Sequence, residues 1–203
     1  MDGRPGECRV MRLLIILSLL QVLPPPSVAR DRVHDDAQVV SAILTQTVRR
    51  EVDKLLARPD GWRGSPLVVL LDRTIPMCPD KSGPWEDCVD AATLRGIRQP
   101  WWTEATSLAF AQRNARSMSA PLVQLPNVLY ARYETAPGRR PSELYASAAG
   151  WLSVSVPTYL ESDTALVYVH FACGAMCCHG WFIVLDRTPG GWHVRQEVGV
   201  FIC

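Results

Sequence analysis

Between residues 35 and 57 the apolar positions recur at intervals of three and four. Ala37, Val40, Leu44, Val48, Val52 and Leu55 fall on one stripe, while Arg49, Arg50, Glu51 and Asp53 take the other faces. This spacing predicts an amphipathic helix whose stripe must be covered by a sheet or a second helix. Asp35 or Asp36 is the expected N-cap, its carboxylate accepting from free amides of the first turn. Arg58-Pro59-Asp60-Gly61 supplies the turn chemistry that ends it. The run LVVLL within 65–76 has no alternation, which suits a strand buried on both faces. Residues 77–101 hold Pro79, Gly83, Pro84, Gly96 and Pro100 and read mostly as loop. A second helix is expected over 103–118, beginning at Thr103 or Trp102, then a strand over 127–134 and a turn at 137–141.

The last third is rich in β-branched and aromatic residues. Strands are expected over 151–156, 164–172, 180–187 and 191–202, separated by Pro157, Glu161-Ser162-Asp163, the Cys/Gly loop and Pro189-Gly190-Gly191. Sequential strands with short connections form an antiparallel meander. Helix first and sheet last argues for an α+β fold: an amphipathic N-terminal helix packed on a curved antiparallel sheet, cystatin-like or cone-like in layout. Such an analogy transfers no function. No internal repeat or linker interrupts residues 30–203, which read as a single domain.

The first 29 residues read as a signal peptide. Arg9 and Arg12 precede the apolar run at 13–23, Pro24–Pro26 ends any helix, and Ser27-Val28-Ala29 offers small residues to a signal peptidase. The run is shorter than the roughly 20 residues a spanning helix needs. Met11 is an alternative start. The expectation is a periplasmic or secreted protein without stable membrane insertion once the leader is gone. Of 203 residues 48% are hydrophobic, which excludes a disordered chain, and the net charge of +1 leaves no global field to recruit nucleic acid.

Export changes the meaning of the cysteines. Cys8 leaves with the leader; Cys78, Cys88, Cys173, Cys177, Cys178 and Cys203 remain, an even number in an oxidising compartment. Cys78 and Cys88 close a local loop. Pairing Asp186 or Leu185 with Trp192 across the last hairpin puts Cys203 opposite positions 174–175, and a wider turn or a bulge near Gly199 would bring Cys177 or Cys178 opposite it. The expected partition is Cys173–Cys177 with Cys178–Cys203; the swap is Cys173–Cys178 with Cys177–Cys203.

Two other chemistries use the same residues. His170, Cys173, Cys177, Cys178 and His179 lie within ten positions and carry zinc or copper(I) donors, so a metal-binding protein is one alternative. Oxidation of the thiols opposes it, and no cofactor is expected. The other is an enzyme with a pocket between helix and sheet, using His170, His179 or His193 as acid or base. No nucleophile elbow, phosphate-cradling glycine loop or His-Glu-x-x-His motif is present. His193, Arg195 and Glu197 alternate as a solvated strand face would.

The segment from Ser153 to Val194 resembles a family of uncharacterised exported bacterial proteins. The shared features are Ser155 and Pro157, the strand Ala165–Val169, a Cys-Gly-x-x-Cys hairpin loop (Cys173, Gly174, Cys177), Gly180 and Trp192. LVVLLDRT and the helix ending in QRN at 112–114 fit more loosely. The resemblance implies a small exported α+β domain and brings no activity with it. Cys178 and Cys203 are additions to that pattern, which supports a bond between them. The function expected is that of an exported, non-enzymatic domain that binds a protein partner or a small ligand.

Overall fold

The computed structural model describes residues 26–57, 65–78, 88–89, 91–131, 147–174 and 177–202. The expected leader through residue 25, the expected turn at 137–141 and Cys203 lie outside the described residues. The chain divides into two compact units, Met1–His34 and Asp35–Cys203, and the sheet belongs to the second. The helical segment is α1 (Pro26–Ile43), a π-helical turn over Leu44–Val48, and α2 (Arg49–Leu56). The expected peptidase site at 27–29 falls within the bounds of α1. The π-turn follows from the sequence. Val40, Leu44, Val48 and Val52 are spaced by strict fours, and three such steps drift about 120° around a 3.6-residue helix. One wider turn absorbs the drift. All four side chains are buried, as are Leu55 and Thr47. Thr45 Oγ1 donates to Ser41 O at 2.9 Å and Ala42 O at 3.2 Å, satisfying carbonyls beside the wider turn.

The remaining elements are β1 (Ser65–Leu71), α3 (Ala91–Gly96), α4 (Glu104–Arg113), β2 (Val128–Ala131), β3 (Ala148–Val154), β4 (Thr158–Glu161), β5 (Thr164–Gly174), β6 (Cys177–Thr188) and β7 (Gly191–Ile202). The fold is α+β, with one sheet in the order β2-β1-β3-β5-β6-β7 and β4 paired to β5. The sheet is mixed, which corrects the expectation of antiparallel pairing throughout. β1 runs parallel to both β2 and β3, while β3, β5, β6 and β7 form the antiparallel part. The unbroken apolar run of β1 has this meaning: parallel strands are covered on both faces and so lose their alternation. Val68 and Leu70 join the cluster under the helix, and Val69 and Leu71 a separate cluster with Ala148.

Both faces of the antiparallel part are covered. The helix packs Val39, Val40, Ile43 and Leu44 with Leu152, Val167, Val169, Phe171, Ile183 and Leu185. Opposite it, Leu166, Tyr168, Phe182 and Val184 pack with Ile75, Val89, Leu94, Ile97 and Phe110. In this layer α4 is the helix expected over 103–118, whereas α3 and Ile97 lie in 77–101, which the sequence reads mostly as loop. Thr103 is the N-cap of α4, its Oγ1 accepting from Thr106 N at 3.1 Å. The helix ends at Asn114, earlier than residue 118. Asn114 is fully buried; its Nδ2 donates to Phe110 O, Val156 O and Thr158 Oγ1, and its Oδ1 accepts from Val156 N at 2.7 Å. Gly150 is needed where it stands, because a Cβ there would meet the Phe171 ring and Ala172 O at 2.6 Å.

The last hairpin turns through Pro189-Gly190, with Thr188 opposite Gly191 at φ +113°. Arg187 faces Trp192, one position from the expected register. Two bulges then move β7 along β6: Arg195 is skipped between Val194 and Gln196, and Val200 between Gly199 and Phe201, so that His179 faces Ile202. Each bulge also reverses which face the next residues take. Trp192 and Val194 lie with the helix-side cluster; Val198 and Val200 pack in the other. His193, Arg195 and Glu197 therefore do not form one row.

Candidate functional site

The described disulfides are Cys78–Cys88 and Cys173–Cys177, with Cα separations of 5.0 and 5.1 Å, inside the bridging range. Cys178 is also disulfide-bonded. Its expected partner Cys203 is outside the described residues. The Cys/His cluster is divided by strand alternation. Cys178 faces Ala172, His170 faces Gly180, and His179 faces Phe171. His170 and Cys178 thus share one side of the sheet, while His179 is on the other, its ring stacked on Trp181 at 5.1 Å. Cys173 and Cys177 are joined to each other and pack against the helix-side cluster. Among the described residues no three His, Cys, Asp or Glu side chains are grouped to hold a metal ion.

The three histidines are not brought together either. His170 is 3% exposed within the sheet, and His193 is exposed opposite Asp186. Gly180 and Asp186, their partners on β6, are about 20 Å apart along an extended strand. Among its described lining residues the helix–sheet cavity has no histidine.

Two polar groupings, neither visible in sequence, tie the helix to the sheet. Arg50 pairs with Glu197, which also accepts from Thr47 Oγ1 at 2.6 Å. That bond to Glu197 holds the Arg50 guanidinium above its ordinary pKa. Gln46, inside the π-turn, pairs with the β7 backbone: its Nε2 donates to Trp192 O at 3.1 Å and its Oε1 accepts from Val194 N at 2.9 Å. The second grouping is Asp36, which accepts from Tyr159 OH at 2.8 Å and pairs with Arg113 at 3.3 Å. Burial, then the Asp36 charge, pushes the Tyr159 hydroxyl well above its ordinary pKa. These groups are used on one another and are structural.

One opening on the helix side of the sheet is mainly apolar. A cavity of ≈150 Å³ lies between the π-turn and the β1–β2 edge, lined by Leu44, Thr45, Val48 and Val52 on the helix and by Val68, Leu125 and Val128 opposite. Leu125, Pro126 and Val128 also line a shallower groove that continues to Leu122. Leu122, which lines that groove, is 78% exposed. Contiguous exposed apolar surface of this kind marks interaction sites. The residues sit together because β2 is the terminal described strand and the 121–127 segment runs along its end. The only sequence signal was the apolar, proline-bounded run PLVQLP, which has no helical or strand period.

Among the described residues, no helix is long and apolar enough to cross a membrane. No family model and no solved structure matches the chain. Over 126 residues it is 30% identical to the pre-rRNA-processing protein FHL1 of Saccharomyces cerevisiae; the match covers 59% of this chain and 13% of that protein.

Proposed function

We propose that this is an exported, disulfide-stapled binding domain that takes an extended segment of a partner protein along the β2 edge, with an apolar side chain of that segment in the cavity at the π-turn. It acts in the periplasm or outside the cell, after removal of the leader, and carries out no chemistry on its partner. The cavity is the observation that carries the reading. Its ≈150 Å³ is below the roughly 300–1,000 Å³ of sites that enclose whole small ligands, yet enough for one aliphatic or aromatic group. The terminal described strand beside such a hole supplies the two parts of strand addition: backbone groups for affinity and a pocket for specificity.

The sheet curves around the helix in this reading, as in a cone. Edges of a flat six-strand path would stand about 24 Å apart, twice the diameter of a helix. Yet residues 44–52 meet both of them: Gln46, Thr47 and Arg50 reach β7, and Leu44 and Val48 line the cavity with Val128 of β2. The opening between helix and β2 is then where the cone is incompletely closed.

Capped pentapeptides with a central Leu or a central Asp test this by NMR titration. The Leu peptide should shift methyl resonances of Leu44, Val48 and Val128, and Thr45→Trp, which fills the mouth from an exposed position, should weaken it about tenfold. Equal responses to both peptides, or none at the solubility limit, would overturn the reading.

A further inference from the structure

A second opening lies on the face away from the long helix, between α3, Met77 and α4, with a volume of ≈510 Å³. Leu94, Ile97 and Trp102 line it, and Leu108, 57% exposed, continues the apolar surface outward. Arg95 and Arg98 line the same cavity, both exposed, and neither is ion-paired to a described residue. Arg98 Nη1 donates to Arg95 O at 3.2 Å, which holds one guanidinium at the end of α3 and leaves its other donors. Glu104 is the sole carboxylate among the described lining residues. The aromatic wall is fixed from behind. Trp102 rests against Phe182 and Phe110 at 5.2 and 6.3 Å and edge-on to Trp101 at 5.7 Å, and Trp101 Nε1 donates to Gln196 Oε1 at 2.7 Å.

We propose that this cavity binds an apolar monocarboxylate, its hydrocarbon or aromatic body against Trp102 and Ile97 and its carboxylate between Arg95 and Arg98. The volume lies within the range of sites that enclose a whole small ligand. Guanidinium N–H pairs match a carboxylate in geometry as well as charge, and two unpaired arginines beside an apolar wall are the complement of an amphipathic anion. With Glu104 counted, the described lining residues carry one net positive charge, which suits a monoanion and disfavours a dianion. The site is on the opposite side of the sheet from the β2 groove and stands independently of the partner-binding reading.

The probes are 4-phenylbutyrate and its neutral isostere 4-phenylbutan-1-ol, titrated by NMR against the oxidised protein. The acid should bind at least about tenfold more tightly than the alcohol, and added salt should narrow the difference. Arg95→Gln/Arg98→Gln should abolish the preference while leaving the melting temperature unchanged, both side chains being exposed; each single variant should halve the effect on a logarithmic scale. Glu104→Gln should tighten the acid. Equal binding of acid and alcohol, retention of the preference in the double variant, or absence of any response to the acid at 10-fold excess over about 1 mM would overturn the assignment.

Discussion

Replacing Phe182 with alanine is expected to cost about 3–5 kcal/mol of folding free energy and to lower the melting temperature by about 6–20 °C. Phe182 is fully buried on β6, an inner strand of the antiparallel part, opposite Tyr168 and Val198. Its ring is 5.1 Å from Tyr168, 5.2 Å from Trp102 and 5.3 Å from Phe110. The removed volume cannot be refilled cheaply, because its neighbours are held: Phe110 by α4 and the Asn114 hydrogen bonds, Tyr168 by the β-ladder, Trp102 by the turn that caps α4. Leu122→Ala, in an exposed position, should stay within about 0.5 kcal/mol. Urea denaturation of both variants checks this. A loss below 1 kcal/mol for Phe182→Ala would mean that the α3–α4 layer is not packed on the sheet as described.

Removing the Cys78–Cys88 bond by double serine substitution should cost about 3 kcal/mol, and removing Cys173–Cys177 about 2 kcal/mol, on loop length alone. The larger loss has a structural counterpart. The Cys78–Cys88 bond joins two strands of chain that exchange Cys78 N→Val89 O and Val89 N→Pro76 O hydrogen bonds, and it anchors Val89, 3% exposed, in the second-face cluster. The Cys173–Cys177 bond closes a hairpin whose strands are already paired over Thr164–Gly174. Denaturation with and without reductant should therefore rank the two double variants in that order. The reverse order would show that the second layer does not depend on its cross-link.

The elements legible in the sequence were those whose burial is periodic. The stripe from Val40 to Leu55 and the strands of the last third carry their faces in their residue types. The 2-residue turn at Pro189-Gly190 carries its chemistry in the same way. Three features were not legible, each for a physical reason. α3 spans only Ala91–Gly96, less than two turns, and its place is set by Leu94 meeting a distant sheet rather than by helical propensity. The parallel pairing of β1 was present as a signal in LVVLL, but burial on both faces gives no direction, and the antiparallel strands after it governed the expectation. The bulge at Arg195 leaves no mark in composition, so alternation placed Glu197 with His193, whereas it meets Arg50 and Thr47 on the helix; the bulge at Val200 is the one near Gly199 that the cysteine register allowed for. The candidate cavity was the least legible part: it is made mainly of ordinary aliphatic side chains from three separate stretches of chain, and only their assembly distinguishes it from core.

The cysteines decide between a stapled binding domain and a reactive or metal-holding one, and their connectivity is directly measurable. The described β6–β7 register ends with His179 opposite Ile202, next in sequence to Cys178 and Cys203. Peptide mapping of the unreduced protein, with electron-transfer fragmentation to separate the neighbouring Cys177 and Cys178, should recover Cys78–Cys88, Cys173–Cys177 and Cys178–Cys203, with no free thiol among the six. Free thiols at 173, 177 and 178, or a metal ion retained there after desalting, would contradict it.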